Sequence, residues 1–299
     1  WIVERTGIHE RRISDLKDES EHNSSLAAAA AKRALEMAGK KAEDIDQIIF
    51  ATCSPDTTVP AAACWLQTKL GAKNAFVMDL NAACSGFVYA VTVADQFIKT
   101  GHSKTVLAVG SEVLSSFVDW EDRTSCILFG DGAGAAIIER APANSESRII
   151  SSHLKADGSL WELFVLPGGG SSMPLTPELC EKRVHKMKMK GKEIFKVAVK
   201  TLADFAEEAL RANNMSLEQL DWFIPHQANM RIIEATAKRL GCPMEKVLVN
   251  LDRYGNTSAA TVPTVLDEAV RAGKIKKGQT ILMDVFGAGL TYGSVLMRW

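Results

Sequence analysis

The sequence holds no run of about eighteen apolar residues, the length a spanning helix needs, so no membrane segment is expected. Neither charge is in excess: 35 Lys and Arg stand against 36 Asp and Glu, a net of −1, which argues against general nucleic-acid binding through a basic surface. The first residues carry no basic-then-apolar secretory signal. Cysteine is sparse and unpatterned. The six cysteines (53, 64, 84, 126, 180 and 242) show no CxxC and no metal-ligand spacing, and several lie in apolar runs. Reduced thiols in a cytoplasmic protein with no bound metal are therefore expected. Methionine is absent from the first position, where Trp1 stands, so the natural start is expected further upstream. What is abundant is apolar material: 46% of 299 residues, ample for one large core or two similar halves.

The chain repeats itself. Ala34-Leu35 through Asp46, Ile48 and Ile49 matches Ala209-Leu210 through Asp221, Phe223 and Ile224 at an offset of 175 residues without a gap. Thr105-Val106-Leu107 matches Thr280-Ile281-Leu282 at the same offset of 175, whereas Ala94-Asp95 and Gly101 match Leu266-Asp267 and Gly273 at 172. Three co-linear matches point to a duplicated α/β unit, divided as residues 1–150 and 151–299. Buried strands are predicted at 48–51, 75–80, 106–109, 135–138, 223–224 and 281–285, as short apolar runs. Helices are predicted at 26–38, 86–99, 195–212, 230–240 and 259–272, with the Gly-rich stretch 167–179 as a loop roughly dividing the halves.

Cys84 lies in Asn81-Ala82-Ala83-Cys84-Ser85-Gly86-Phe87, where a strand gives way to a long apolar helix. A thiol at a helix start feels the positive end of the dipole, which favours thiolate, and small neighbours leave room for a carbonyl. A buried structural cysteine is the ordinary reading and fits Cys64 and Cys126. The turn and the repeat set Cys84 apart: at the 172-residue offset it falls on Asn256 of Gly255-Asn256-Thr257-Ser258. Asn256 could simply cap a helix. His226, in Pro225-His226-Gln227-Ala228-Asn229, follows the repeated strand of the second half. Cys, His and Asn brought together form an acyl-transfer set, in which a thiolate accepts an acyl group from a thioester and an oxyanion hole holds the intermediate.

Phe286-Gly287-Ala288-Gly289 follows a predicted strand, and its small residues would let a backbone N–H approach a substrate oxygen; a plain tight turn is compatible with this. Phe129-Gly130-Asp131-Gly132-Ala133-Gly134 lacks the Gly-Lys-Ser/Thr of a phosphate loop and precedes a strand rather than a helix, so tight packing is expected there. Lys186-Met187-Lys188-Met189-Lys190 alternates with period two, as a strand with lysines on one solvated face. With Lys192, Lys196, Arg231, Lys238 and Arg239 it could form a basic rim for an acidic or phosphorylated partner.

Together Asn81–Phe87, Pro225–Asn229, Gly255–Ala260 and Gly130–Gly134 resemble β-ketoacyl-acyl carrier protein synthase III, over essentially the whole chain. The resemblance implies a thiolase-like five-layered α-β-α-β-α sandwich of two duplicated halves, assembled as a homodimer. Family members carry another strand and helix ahead of the segment that is Trp1–Gly7 here, so an incomplete leading sheet is expected. It implies the initiating condensation of dissociated fatty acid synthesis, with acyl-CoA as a substrate, acyl carrier protein as partner and no cofactor. Cys84 would be acylated, His226 and Asn256 would bind the malonyl thioester oxygen, and the N–H groups of Cys84 and Ala288 would form the oxyanion hole. The family usually has Gly where Ala288 stands, and Phe286 matches a phenylalanine near the malonyl group. Trp1 and Arg123 match residues that sandwich the CoA adenine, Arg5 a phosphate contact, and Arg231 with Lys196, Lys238 and Arg239 the carrier-protein patch. Some short-chain-specific members have Phe where Val59 stands, reaching across the dimer, so Val59 implies tolerance of primers longer than acetyl. Rival readings are a starter ketosynthase or acyltransferase of secondary metabolism and a non-catalytic partner subunit; a degradative thiolase would carry a second catalytic cysteine in a Cys-Gly motif near the C-terminus, which is absent.

Overall fold

Strands made of continuous apolar runs must bury both faces, and alternation divides each strand between two cores. The computed structural model describes residues 1–299. The strands are β1 Gln47–Ala51, β2 Phe76–Leu80, β3 Thr105–Glu112, β4 Gly132–Glu139, β5 Arg148–Ala156, β6 Phe164–Val165, β7 Lys188–Met189, β8 Trp222–Pro225, β9 Thr280–Gly287 and β10 Thr291–Arg298. The helices are α1 Ile2–Thr6, α2 Asn23–Ala38, α3 Ala62–Leu70, α4 Gly86–Lys99, α5 Pro177–Glu181, α6 Gly191–Ala212, α7 Met230–Leu240, α8 Leu251–Tyr254 and α9 Thr261–Arg271. One sheet runs β2-β1-β3-β4 and a second β5-β10-β9-β8.

Ile48, Phe50, Leu107 and Val109 face outward onto α2 and α3, where Ala27, Ala31 and Leu66 meet them. Ile49, Ala51, Val106 and Ala108 face inward and share a core with Phe87, Val88 and Val91 of α4, Val262 and Val265 of α9, and Ile224, Ile281, Met283 and Val285 of the second sheet. On that sheet's far face Phe223, Leu282 and Leu296 pack under Ala206 and Ala209 of α6 and Ile233 and Ala237 of α7. The result is the expected five layers, α2/α3, sheet, α4/α9, sheet, α6/α7. No helix is long and apolar enough to cross a membrane.

The duplication is visible in the sheets. β8 and β9 lie parallel as β1 and β3 do, and their starts, Trp222 and Thr280, fall 175 residues after Gln47 and Thr105. The far edge of β10 carries β5, whereas the matching edge of β4 pairs with no strand; the place beside β8 that corresponds to β2 is reduced to a single bridge, Phe223 to Val247.

Three expectations are corrected. The 172-residue offset does not hold at the nucleophile. The 3-10 turn Ala83–Ser85 precedes α4 as Ser258–Ala260 precedes α9, so there the offset is 175, and Cys84 stands opposite Ala259 while Asn256 stands opposite Asn81. The three-residue difference lies further on, because α4 has 14 residues and α9 only 11. Secondly, the loop at 167–179 does not separate the halves: β5, before it, already belongs to the second sheet. The stretch 157–190 begins on the second half, where Asp157 and Leu290 exchange backbone hydrogen bonds at 2.9 Å, and then crosses to the first, where Met187 packs with Leu114 and Val118 and its N–H donates to the Phe117 carbonyl at 3.0 Å. Thirdly, only Lys188 and Met189 of the alternating segment form a strand, paired with Val165 and Phe164. Its lysines are not free: Lys186 Nζ donates to the Ser116 carbonyl at 2.9 Å, Lys188 pairs with Asp119 at 3.3 Å and Lys190 with Glu162 at 3.4 Å.

Candidate active site

Two matching turns build the site. Asn81 Oδ1 accepts the Ala83 N–H at 3.2 Å, and Asn256 Oδ1 accepts the Ser258 N–H at 2.9 Å. Each bond stabilises a left-handed residue that is not glycine, Ala83 at φ 46° and Ser258 at φ 51°. Such backbone costs about 1–3 kcal/mol and persists only where its surroundings determine it. Here Ser85 Oγ donates to the Thr291 carbonyl at 2.9 Å and Thr291 Oγ1 to the Ala82 carbonyl at 2.8 Å, tying the first turn to β10. The Asn256 backbone is clamped by the glycine-rich loop: its N–H donates to Leu128 and its carbonyl accepts from Gly130. Asp131 of that loop accepts from Ser14 and Ser115, so the loop does packing work, as its sequence context implied.

Cys84 is 6% exposed, and the Ser258 hydroxyl, buried and without a hydrogen-bond partner, and the Cys84 and Ala288 N–H groups act on its thiol. The approach of the β9 end is close enough that a Cβ on Gly287 would lie 2.8 Å from the Cys84 nitrogen. Gly287→Ala is expected to push that strand end off the nucleophile, lowering Cys84 acylation by about 10²-fold with a loss of about 1–3 kcal/mol in stability. Acylation kinetics and thermal melts check it; wild-type acylation would show the contact to be slack.

The expectation of a resting thiolate is corrected. Burial pushes the Cys84 thiol up to about 12, with a further push from the Glu112 carboxylate, and the Ser258 and backbone donors only partly oppose this. The helix start is outweighed because the sulfur is out of water. Glu112 was missed by sequence reasoning. It is fully buried beside Cys53 and accepts from the Cys53 and Ser54 N–H groups at 3.1 Å, from Ser54 Oγ at 2.5 Å and from Thr52 Oγ1 at 3.1 Å. Nothing in its strand pattern separates it from an edge-of-strand acid; only the fold brings it under the cysteine.

His226 is 3% exposed. Its Nδ1 lies 2.8 Å from Thr261 Oγ1, and its Nε2 makes no hydrogen bond within the chain. Burial lowers its pKa to about 3, so the ring is neutral at physiological pH. The Asn256 Nδ2 is likewise free of protein partners, its Oδ1 being used by the turn.

Cys84, His226, Asn256, Phe286 and Ala288 line one cavity of about 760 Å³. Trp1, Arg5, Arg123, Lys196 and Arg231 line the same cavity. Arg5 and Arg123 both stack on the Trp1 ring, at 4.8 and 5.5 Å. A base between Trp1 and Arg123 needs two stacking gaps, about 7 Å in all, so Arg123 must swing outward to admit one. Lys238 and Arg239, on the last turn of α7, are outside the cavity lining, and Arg239 pairs with Asp204 at 3.2 Å. Val59 is also outside it and 84% exposed. A wider groove of about 1310 Å³ runs along Gly132–Ala135, but it holds neither thiol nor imidazole.

Residues 78–158 match the family model for 3-oxoacyl-[acyl-carrier-protein] synthase III, and residues 210–299 match that for its C-terminal part. The β-ketoacyl-[acyl-carrier-protein] synthase III of Caldanaerobacter subterraneus subsp. tengcongensis is 50% identical over 299 residues, covering 100% of this chain and 89% of that protein. The same-named protein of Xanthomonas euvesicatoria pv. vesicatoria is 49% identical over 311 residues, with coverages of 100% and 89%. Among solved structures, 3-oxoacyl-[acyl-carrier-protein] synthase III from Aquifex aeolicus superposes with a TM-score of 0.90 at 45% identity, covering 100% of this chain and 90% of that one. The priming β-ketosynthase of the R1128 polyketide pathway superposes at 0.89 with 34% identity, covering 100% and 87%. With the duplicated sandwich and the Cys-His-Asn cavity, these likenesses show that the chain belongs to the β-ketoacyl-[acyl-carrier-protein] synthase III family of condensing enzymes.

Proposed function

We propose that this chain primes fatty acid synthesis, condensing an acyl-CoA with malonyl-acyl carrier protein through an acyl-Cys84 intermediate. The observation that carries this reading is the single cavity that Cys84, His226 and Asn256 line together with Trp1 and Arg123. The Cys84 sulfur loses its proton and attacks the thioester carbonyl; the oxyanion is held by the N–H groups of Cys84 and Ala288. CoA leaves as the thiol, taking up one proton. Malonyl-carrier protein follows, its thioester oxygen accepting hydrogen bonds from His226 Nε2 and Asn256 Nδ2. The bond to the carboxylate breaks, CO2 departs, and the electron pair forms an enolate that those donors stabilise. Its carbon attacks the acyl-Cys84 carbonyl, the sulfur leaves, and 3-oxoacyl-carrier protein is released. Phe286 borders the malonyl position.

Arg5 sits beside Trp1 and Arg123 to meet CoA phosphate, and Arg231 with Lys196, Lys238 and Arg239 forms the carrier-protein contact; Lys196 and Arg231 at the cavity mouth support this most directly. Residues 1–150 and 151–299 act as the two halves, contributing the thiol and the imidazole–amide pair. Two copies assemble, with exposed Val59 closing the partner copy's acyl pocket. The reaction is placed in the cytoplasm, without cofactor.

Incubation with acyl-CoAs of two to eight carbons, read by intact mass and peptide mapping, tests the reading. The expected result is one acyl group on Cys84, accepted from primers beyond acetyl because Val59 is small, then 3-oxoacyl product when malonyl-carrier protein is added. Acylation with no condensation would replace the synthase reading by an acyltransferase. The likeness to a polyketide priming ketosynthase favours a starter enzyme of secondary metabolism as the second reading; preference for an unusual primer with a polyketide carrier protein would select it.

A further inference from the structure

The duplicated halves differ at one pair of contacts. Ala51 ends β1, and Gly86 opens α4; a Cβ on Gly86 would lie 2.9 Å from the Ala51 Cβ. At the 175-residue offset this pair becomes His226 and Thr261. What is close apolar packing beside the nucleophile is, in the second half, a hydrogen bond of 2.8 Å between Nδ1 and Oγ1.

We propose that Thr261 is a positioning residue that keeps the proton of His226 on Nε2, so that the ring donates to the substrate thioester oxygen. A neutral imidazole has one N–H, and the partner of one nitrogen decides which nitrogen carries it. Thr261 has a single hydroxyl proton and two neighbours for it, His226 Nδ1 and the Ser258 carbonyl at 2.9 Å. The Ser258 carbonyl already accepts the backbone N–H of Thr261 as the 3-10 turn closes, so it stays satisfied when the hydroxyl turns to the histidine. Nδ1 has no other donor in the chain. With the hydroxyl turned away, Nδ1 would have to hold the proton itself. Nε2 would then present a bare lone pair to the cavity, where it would repel a carbonyl oxygen instead of binding it. Thr261 is 1% exposed and sits at the first position of α9, so its rotamer is held by packing rather than by substrate.

This inference rests on the condensing reading for its catalytic consequence, but not for the tautomer. The test uses the full chain with 15N-labelled histidine, as wild type, Thr261→Val and Thr261→Ser. The His226 ring shifts report the tautomer at pH 7, and two half-reactions are timed: acylation of Cys84 by acyl-CoA, and CO2 release from malonyl-carrier protein. The expected result is Nε2–H in wild type and Thr261→Ser, and a mixture of tautomers in Thr261→Val. Decarboxylation in Thr261→Val should fall by about 10- to 10²-fold, the scale of one misdirected oxyanion donor, while acylation stays within about 3-fold and Thr261→Ser recovers. Nδ1–H in the wild type overturns the proposal. So does unchanged decarboxylation in Thr261→Val, or a parallel fall in both half-reactions. Should Thr261→Val not fold, the wild-type and Thr261→Ser spectra decide. A wild type that shows Nε2–H yet never decarboxylates a malonyl thioester would sink the condensing reading and leave the hydrogen bond standing.

Discussion

Cys84→Ala is expected to yield no acyl-enzyme with any acyl-CoA and to lower condensation by about 10⁴-fold or more, the scale on which removal of a nucleophile acts. No neighbour can stand in for it. Cys53, the nearest other thiol, donates to Glu112 and is held well above the ordinary thiol range by burial and by that carboxylate. Intact mass after incubation with primer reads the outcome directly; a surviving adduct at full stoichiometry would move the nucleophile elsewhere. Decarboxylation of malonyl-carrier protein should persist within about 10-fold, because His226 and Asn256 are untouched and each keeps a free donor atom. In the wild type, acylation should climb about tenfold per pH unit between pH 7 and 9 without a plateau. The reason is that burial holds the thiol near about 12, so the thiolate fraction is still rising there.

His226→Ala should show the opposite split. Acylation of Cys84 continues, while decarboxylation falls by about 10²–10³-fold for the loss of one donor to the developing oxyanion. A neutral histidine also sets the pH behaviour. With its pKa lowered to about 3, His226 does not titrate between pH 8 and 5, so the decarboxylation rate should carry no acid arm near 6.5. An arm near 6.5 would mean that the working ring is charged. Stability follows the same shift. Below the ordinary value of 6.5 the unfolded chain binds a proton that the folded chain refuses until about 3. Stability from this group is therefore complete above 6.5 and is lost as pH falls from there toward 3. Chemical denaturation of His226→Gln should lose that portion of the acid slope.

Much of the fold was legible because its signals are local. Apolar runs such as Ile48–Ala51 and Ile281–Val285 could only be buried strands, and all five helical stretches were predicted within four residues of where they stand. The repeat survived as residue identities at the outer helix–strand units, where packing onto a sheet constrains each half alike. It misled at the nucleophile. A three-residue difference between α4 and α9 leaves no mark on composition, and only the matching left-handed residues Ala83 and Ser258 reveal the true register.

Chemical identity was likewise in the sequence: a cysteine at a helix start, a histidine after a strand, an amide in a glycine turn. Their protonation was not. Whether Cys84 rests as thiol or thiolate depends on how much water the surrounding layers exclude and on a buried Glu112 that lies 28 residues away in the chain. The lysines of the alternating segment looked free because period-two spacing says nothing of the acids across a loop, Asp119 and Glu162, that claim them. The sequence by itself determined which residues are candidates for the chemistry and which faces are buried, since those follow from residue type and short-range periodicity. Tertiary structure alone decided the charge state of those residues and the partner of each polar atom, because desolvation and hydrogen bonding are sums over neighbours that the chain brings together only on folding.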